Sequence, residues 1–115
     1  MTDDPPRAAG AVDPGKPEQL SLLVDYASGS VVSRTLAKSR AGTMSVFAFD
    51  AGEELSEHTA PFDAYVQVLD GTVELTIGGE RVAATSGDLV LMPADVPHAV
   101  RAVERFKMLL TLIRG

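Results

Sequence analysis

Cysteine is absent from the 115 residues, which rules out a disulfide framework, a thiolate zinc site and a cysteine nucleophile. Basic residues are few, ten Lys and Arg against sixteen Asp and Glu, for a net charge of −6. That balance argues against a nucleic-acid surface or an anionic membrane surface, both of which need clustered cations. No apolar run approaches the ~20 residues of a membrane-spanning helix, and the N-terminus lacks the basic start and apolar stretch of a signal peptide. These absences make a soluble, cytoplasmic chain the expectation. Histidine is scarce as well: there are only two.

With 45% apolar and 23% charged residues, the chain has the composition of one globular domain. Residues 1–17 hold four of the seven prolines, Pro5, Pro6, Pro14 and Pro17, among Gly, Ala and Asp. Such a stretch buries too little to offset its ordering entropy, so 1–17 is expected to be a flexible tail and 18–115 the domain. An alternative is that the tail orders across a partner subunit.

From Leu20 onward, short apolar runs alternate with turn residues. Leu20 to Tyr26 reads as either a short helix or a strand. Val31 to Leu36 and Thr43 to Phe49 read as strands, as do Ala64 to Leu69, Thr72 to Ile77 and Arg81 to Ala84. Leu89 to Met92, His98 to Val103 and Phe106 to Ile113 complete the series. Asp70-Gly71 and Gly78-Gly79 are hairpin signals, and Gly71, Gly78, Gly79 and Gly87 are expected to serve turns needing positive φ. Strand-length segments every eight to twelve residues, with no long amphipathic helix, predict an all-β barrel or sandwich.

Both histidines fall in segments punctuated by Gly and Pro, one running from Gly52 through His58 to Gly71, the other from Gly87 through Pro93 to His98. Imidazole is the commonest protein metal ligand and the side chain best suited to proton transfer near neutral pH. Each also has a plain reading. His58 could be a loop residue facing solvent ahead of a strand, and His98 a strand-start residue bonded to a carbonyl.

The pair of segments resembles the two motifs of the cupins, small jelly-roll β-barrels. The first motif, G-x5-H-x-H-x3-4-E-x6-G, is met by Gly52, His58 and Gly71, but Ala60 stands at the second histidine position and Ala64 at the glutamate position. The second, G-x5-P-x-G-x2-H-x3-N, is met by Gly87, Pro93 and His98, with Asp95 at the glycine and Ala102 at the asparagine. The resemblance spans roughly residues 31–113, with motif one at 52–71 and motif two at 87–102. It implies a single-domain, all-β cupin jelly roll.

In metal-binding cupins three histidines and the glutamate hold one divalent ion, so the resemblance leaves His58 and His98 as the candidate ligands for zinc, manganese, iron or nickel. Two imidazoles fall short of the three or more ligands such an ion normally needs. Asp63 and Glu57 are the nearby carboxylates; along a regular strand they would point away from Ala64 and His58, but Pro61 breaks that regularity and keeps Asp63 as a candidate. The expected ligand pocket comprises His58, Ala60, Ala64, Met92 and His98, with His58 and His98 as catalytic candidates.

The leading expectation is a small-molecule-binding cupin. Its alternatives are a metal-free isomerase or lyase using a histidine as acid or base, and a metal-dependent dioxygenase. Ala64, Val66 and Val68 should face inward, with Tyr65 and Gln67 on the opposite side. Met44, Phe47, Phe49, Met92, Phe106 and Met108 are expected mainly in the core, and Arg101, Arg105 and Lys107 as a sparse basic patch. A homodimer is expected, with Leu20 to Leu36 adding strands across a two-fold interface.

Overall fold

The computed structural model describes residues 9–114. Nine strands follow one another among them: β1 (Val31–Ser39), β2 (Gly42–Phe49), β3 (Glu54–His58), β4 (Asp63–Asp70), β5 (Thr72–Ile77), β6 (Glu80–Thr85), β7 (Leu89–Met92), β8 (His98–Ala102) and β9 (Phe106–Ile113). They form a five-stranded sheet in the order β1-β2-β9-β4-β7 and a four-stranded sheet in the order β3-β8-β5-β6. All pairings are antiparallel. This is the all-β arrangement expected from the strand spacing, in the jelly-roll form that the cupin resemblance implies. Among the described residues no helix is long and apolar enough to cross a membrane.

Period-two alternation decides which side chains enter the space between the sheets. On β4, Ala64, Val66 and Val68 are buried while Gln67 is exposed, as the pattern predicted. The main core gathers Phe49, Val66, Val68, Val73, Leu75 and Phe106 with their neighbours from both sheets. Gly71 turns β4 into β5 at φ 77°, beneath β9: a Cβ added there would stand 2.0 Å from the Arg105 carbonyl oxygen. Glycine is therefore required for space as well as for dihedral angle.

A second apolar cluster lies on the outer face of the five-stranded sheet. Leu20–Leu22 forms a single 3₁₀ turn, resolving the ambiguity of that segment in favour of a short helix, one that covers only its first three residues. The chain around it lays Val12, Leu20, Leu23, Val24 and Tyr26 over Leu36, Val46, Ala48 and Leu109. Arg34 donates to the Gly10 carbonyl at 2.8 Å. Of the expected tail, residues 1–8 lie outside the described residues, while Gly10 and Val12 make these contacts. The segment Leu20 to Leu36 is occupied within its own chain, because β1 pairs with β2. The other edge of β1 ends the sheet.

Two placements correct the sequence reading. Met44 sits on the outer face of β2 and is 38% exposed, because its neighbours Val46 and Ala48, two and four residues on, face the outer cluster and the alternation carries Met44 with them. The basic residues do not form a patch: Arg105 pairs with Asp50 at 2.9 Å, and Lys107 is buried, donating to the Ser21 carbonyl at 2.6 Å with its ammonium 4.8 Å from the Tyr26 ring centroid.

Candidate functional site

Strand β3 went unrecognised in the sequence because Glu54-Leu55-Ser56-Glu57-His58 has a single large apolar side chain and so no hydrophobic period. It is held by pairing with β8, where Glu54 faces Arg101 and Leu55 faces Val100. A register irregularity between Leu55 and His58 then sets His58 opposite His98. His98 in turn pairs with Ile77 of β5.

Two loops aim the rings. The segment before His98 is tied to the one after His58 by Asp95 N–H donating to the Ala60 carbonyl at 2.8 Å and Ala94 N–H donating to Asp63 Oδ1 at 2.9 Å. On its other side, Gly78 N–H donates to the Pro97 carbonyl at 2.8 Å. Asp95 occupies the glycine position of the second motif and has φ 63°, the one non-glycine residue with positive φ among those described. Aspartate tolerates that left-handed conformation better than most residues.

The imidazoles meet edge to face, with ring centroids 4.3 Å apart and planes at 71°. Nε2 of His58 lies 3.1 Å from Nε2 of His98. Each Nδ1 is directed at a backbone carbonyl, that of Ser56 at 2.7 Å for His58 and that of Val96 at 3.1 Å for His98. His98 is buried at 3% exposure, whereas His58 stays exposed at the rim. Burial pushes the His98 pKa below the ordinary imidazole value; the nearby His58 charge acts in the same direction, and the Val96 carbonyl opposes both.

Behind the pair lies a cavity of about 90 Å³ lined by His58, His98, Ala60, Ala64, Met92, Leu55, Val100, Met108, Leu110 and Leu112. All five pocket residues expected from the sequence are thus brought together. Of the other five, Leu55, Val100, Leu110 and Leu112 were missed as pocket residues, and Met108 comes from the group expected mainly in the core. Met108, Leu110 and Leu112 share one face of β9 and could have been found from their period of two, since Ala64 pairs with Leu112 and Val66 with Leu110.

The donor set limits what can be held. Two ligands on one ion at zinc–nitrogen bonds of ~2.0–2.1 Å sit about 3 Å apart, so the imidazole pair has a compatible spacing. It supplies only two donors. Alanine at 60 and 64 contributes none, Asp63 is engaged by the Ala94 amide, and Glu57 lines a separate groove with Glu54, Glu74 and Arg101. Among the described residues no three His, Asp or Glu side chains gather closely enough to share an ion. A resident metal held by this protein alone does not fit these residues.

The Cupin domain family model matches residues 45–113, more than half of the chain. The chain belongs to the cupin family. A conserved protein of unknown function from Streptococcus pyogenes is 36% identical, with a TM-score of 0.86 over 90% of this chain and 91% of that one. A cupin superfamily protein from Desulfitobacterium hafniense is 27% identical, also with a TM-score of 0.86, over 96% of this chain and all of that one. Among curated proteins, quercetin 2,3-dioxygenase of Bacillus subtilis is 50% identical over 36 residues, which span 31% of this chain and 11% of that enzyme.

Proposed function

We propose that this cupin binds a compact, largely apolar small molecule in the cavity between its sheets, anchored by His58 and His98. The observation that carries the reading is the convergence of two imidazole nitrogens, 3.1 Å apart, at the mouth of a cavity whose remaining wall is Ala, Leu, Met and Val. Ligand sites combine an apolar wall with a few placed polar groups in this way. A volume near 90 Å³ is below the ~150 Å³ that admits benzene, so the buried body of the ligand is three or four carbons, with the polar end at the rim.

Thermal-shift and NMR screening of small polar-headed aliphatic compounds tests this. At tenfold its Kd, a hit stabilises the fold by roughly 1.4 kcal/mol, enough to raise Tm by several degrees. Ala64→Leu, which fills the cavity, should keep the fold and abolish the shift. A screen without hits, or hits indifferent to both Ala64→Leu and His98→Ala, would overturn the reading.

A catalytic version is supported by the same geometry, since an imidazole lone pair facing a bound molecule can take its proton, a contribution of roughly 10²–10⁴-fold. Its test is whether turnover of a hit is lost in His58→Ala and His98→Ala. The metal-dependent oxygenase version draws on the short match to quercetin 2,3-dioxygenase, and the two alanines weigh against it. Metal analysis after reconstitution decides: one tightly held ion per chain would restore it. We also take the protein to be a homodimer, a reading supported by the edge position of β1 among the described residues and by the exposure of Met44, Leu89, Leu91 and Ile113. Light scattering at micromolar concentration checks it.

A further inference from the structure

A carbonyl oxygen can only accept a hydrogen bond. The contacts of both Nδ1 atoms with the Ser56 and Val96 carbonyls therefore place the ring proton of each neutral imidazole on Nδ1, which leaves Nε2 as an acceptor in both. The result is two lone pairs facing one another across 3.1 Å. Neither ring can satisfy the other without a further proton, and an unmet pair of acceptors at the lip of an apolar cavity is unfavourable. Charging the pair would satisfy it, but burial opposes a charge on His98. An uncharged donor set between the two nitrogens satisfies both rings at no cost in buried charge.

The rest of the wall points the same way. Among the described residues no hydroxyl, amide, ammonium or guanidinium side chain lines the cavity. Arg114, close in sequence to the lining residue Leu112, stacks over the Phe62 ring at 4.8 Å, and Arg101 belongs to the outer groove. A carboxylate brought to this site would find two acceptors and no side-chain donor among the described residues, and would lose part of its hydration with nothing to replace it.

We infer that the pocket selects its occupant by hydrogen-bond sense, taking molecules whose polar end is an uncharged donor, above all a primary amide nitrogen or a hydroxyl, and discriminating against the carboxylate of the same shape. The inference rests on the cavity being a binding site and adds which chemistry it accepts. Discrimination of this kind arises because the rejected group leaves the buried His98 nitrogen unpaired.

The test uses the full chain with ¹⁵N-labelled histidine at pH 8, above the ordinary imidazole range, and two isosteric probes, isobutyramide and isobutyrate. Long-range nitrogen–proton correlation spectra should show both rings in the Nδ1–H form. Isobutyramide should shift both Nε2 resonances and bind at least tenfold more tightly than isobutyrate, and His58→Ala, a change at an exposed position, should narrow that ratio severalfold while the fold persists. An Nε2–H form at either ring, or isobutyrate binding as tightly as the amide, overturns the inference and leaves the pocket reading standing. If both rings show the Nδ1–H form and neither probe binds, the pocket reading falls and takes the inference with it.

Discussion

At one end of the space between the sheets, Phe49 and Phe106 stack with ring centroids 4.6 Å apart, and Phe47 leans on Phe49 at 6.1 Å. At the other end, reached along the same strands, Ala60, Ala64, Met92 and Met108 leave a cavity with two histidines at its mouth. Both ends belong to one β-barrel interior and share β9, whose inward residues run from Phe106 to Leu112. Rigid rings fill the first end. Side chains too small or too flexible to fill the second leave room for something else. The filled end and the open end should therefore answer differently to substitution, and a change should report which end it touches.

The largest effect is expected at the filled end. Phe106 is fully buried, so Phe106→Ala removes its packing and opens a void, at a cost of about 3–5 kcal/mol in urea unfolding followed by circular dichroism. Leu112→Ala at the cavity end should cost less, about 2 kcal/mol, because Leu112 is only partly buried and borders space that is already empty. Equal losses at the two positions would break the comparison.

Next comes the bracing of the cavity end. Asp63 was weighed in the sequence as a metal ligand, but its carboxylate accepts from the Ala94 amide and so holds the loop that carries His98. Asp63→Ala should cost about 2 kcal/mol, the worth of a hydrogen bond to a charged group. Asp63→Asn, which keeps an acceptor, should cost less than half of that. If Asp63→Ala lowered metal content with no change in unfolding free energy, the bracing role would be wrong.

The strand pattern was legible because short apolar runs stop at turn residues and Thr72–Ile77 alternates as well. Thr72–Ile77 ends at Gly78 and Leu89–Met92 at Pro93. Strand β3 was not legible, since its pairing with β8 is a long-range event that leaves no local period. The identity of the pocket histidines could be read from motif spacing. Their ring orientations could not, because these depend on carbonyls two residues before each ring and on a register irregularity that no spacing encodes. The burial of Lys107 was likewise hidden, being created by Ser21 and Tyr26 from a distant segment.

A smaller effect is expected from pH. An imidazole in the unfolded chain takes up its proton near 6.5, while burial keeps His98 neutral to lower pH in the fold. Above 6.5 neither state binds that proton and the His98 contribution is fully present. As pH falls below 6.5 the unfolded chain binds a proton that the native state does not, so stability declines until pH passes through the lowered folded value. The urea midpoint should therefore drop between pH 7.5 and 5.5, a window above the carboxylate range, and His98→Gln should flatten the drop. A rising midpoint would reverse the sign of the shift and remove burial as its cause.

The smallest effect probes the turn that delivers His98. Asp95 holds φ 63° at the position where the cupin motif has glycine, and its backbone N–H binds the Ala60 carbonyl. Nothing in the role requires the Asp side chain itself, only a residue that accepts the left-handed region and keeps its N–H. Asp95→Gly should then preserve the turn and raise the unfolding free energy by up to about 1 kcal/mol, the strain an L-residue carries there. Asp95→Val should lose more than that and loosen the approach of His98 to His58, because β-branching resists positive φ. If glycine at 95 instead destabilised the protein by as much as valine, the Asp carboxylate would be making a contact that matters more than the backbone conformation.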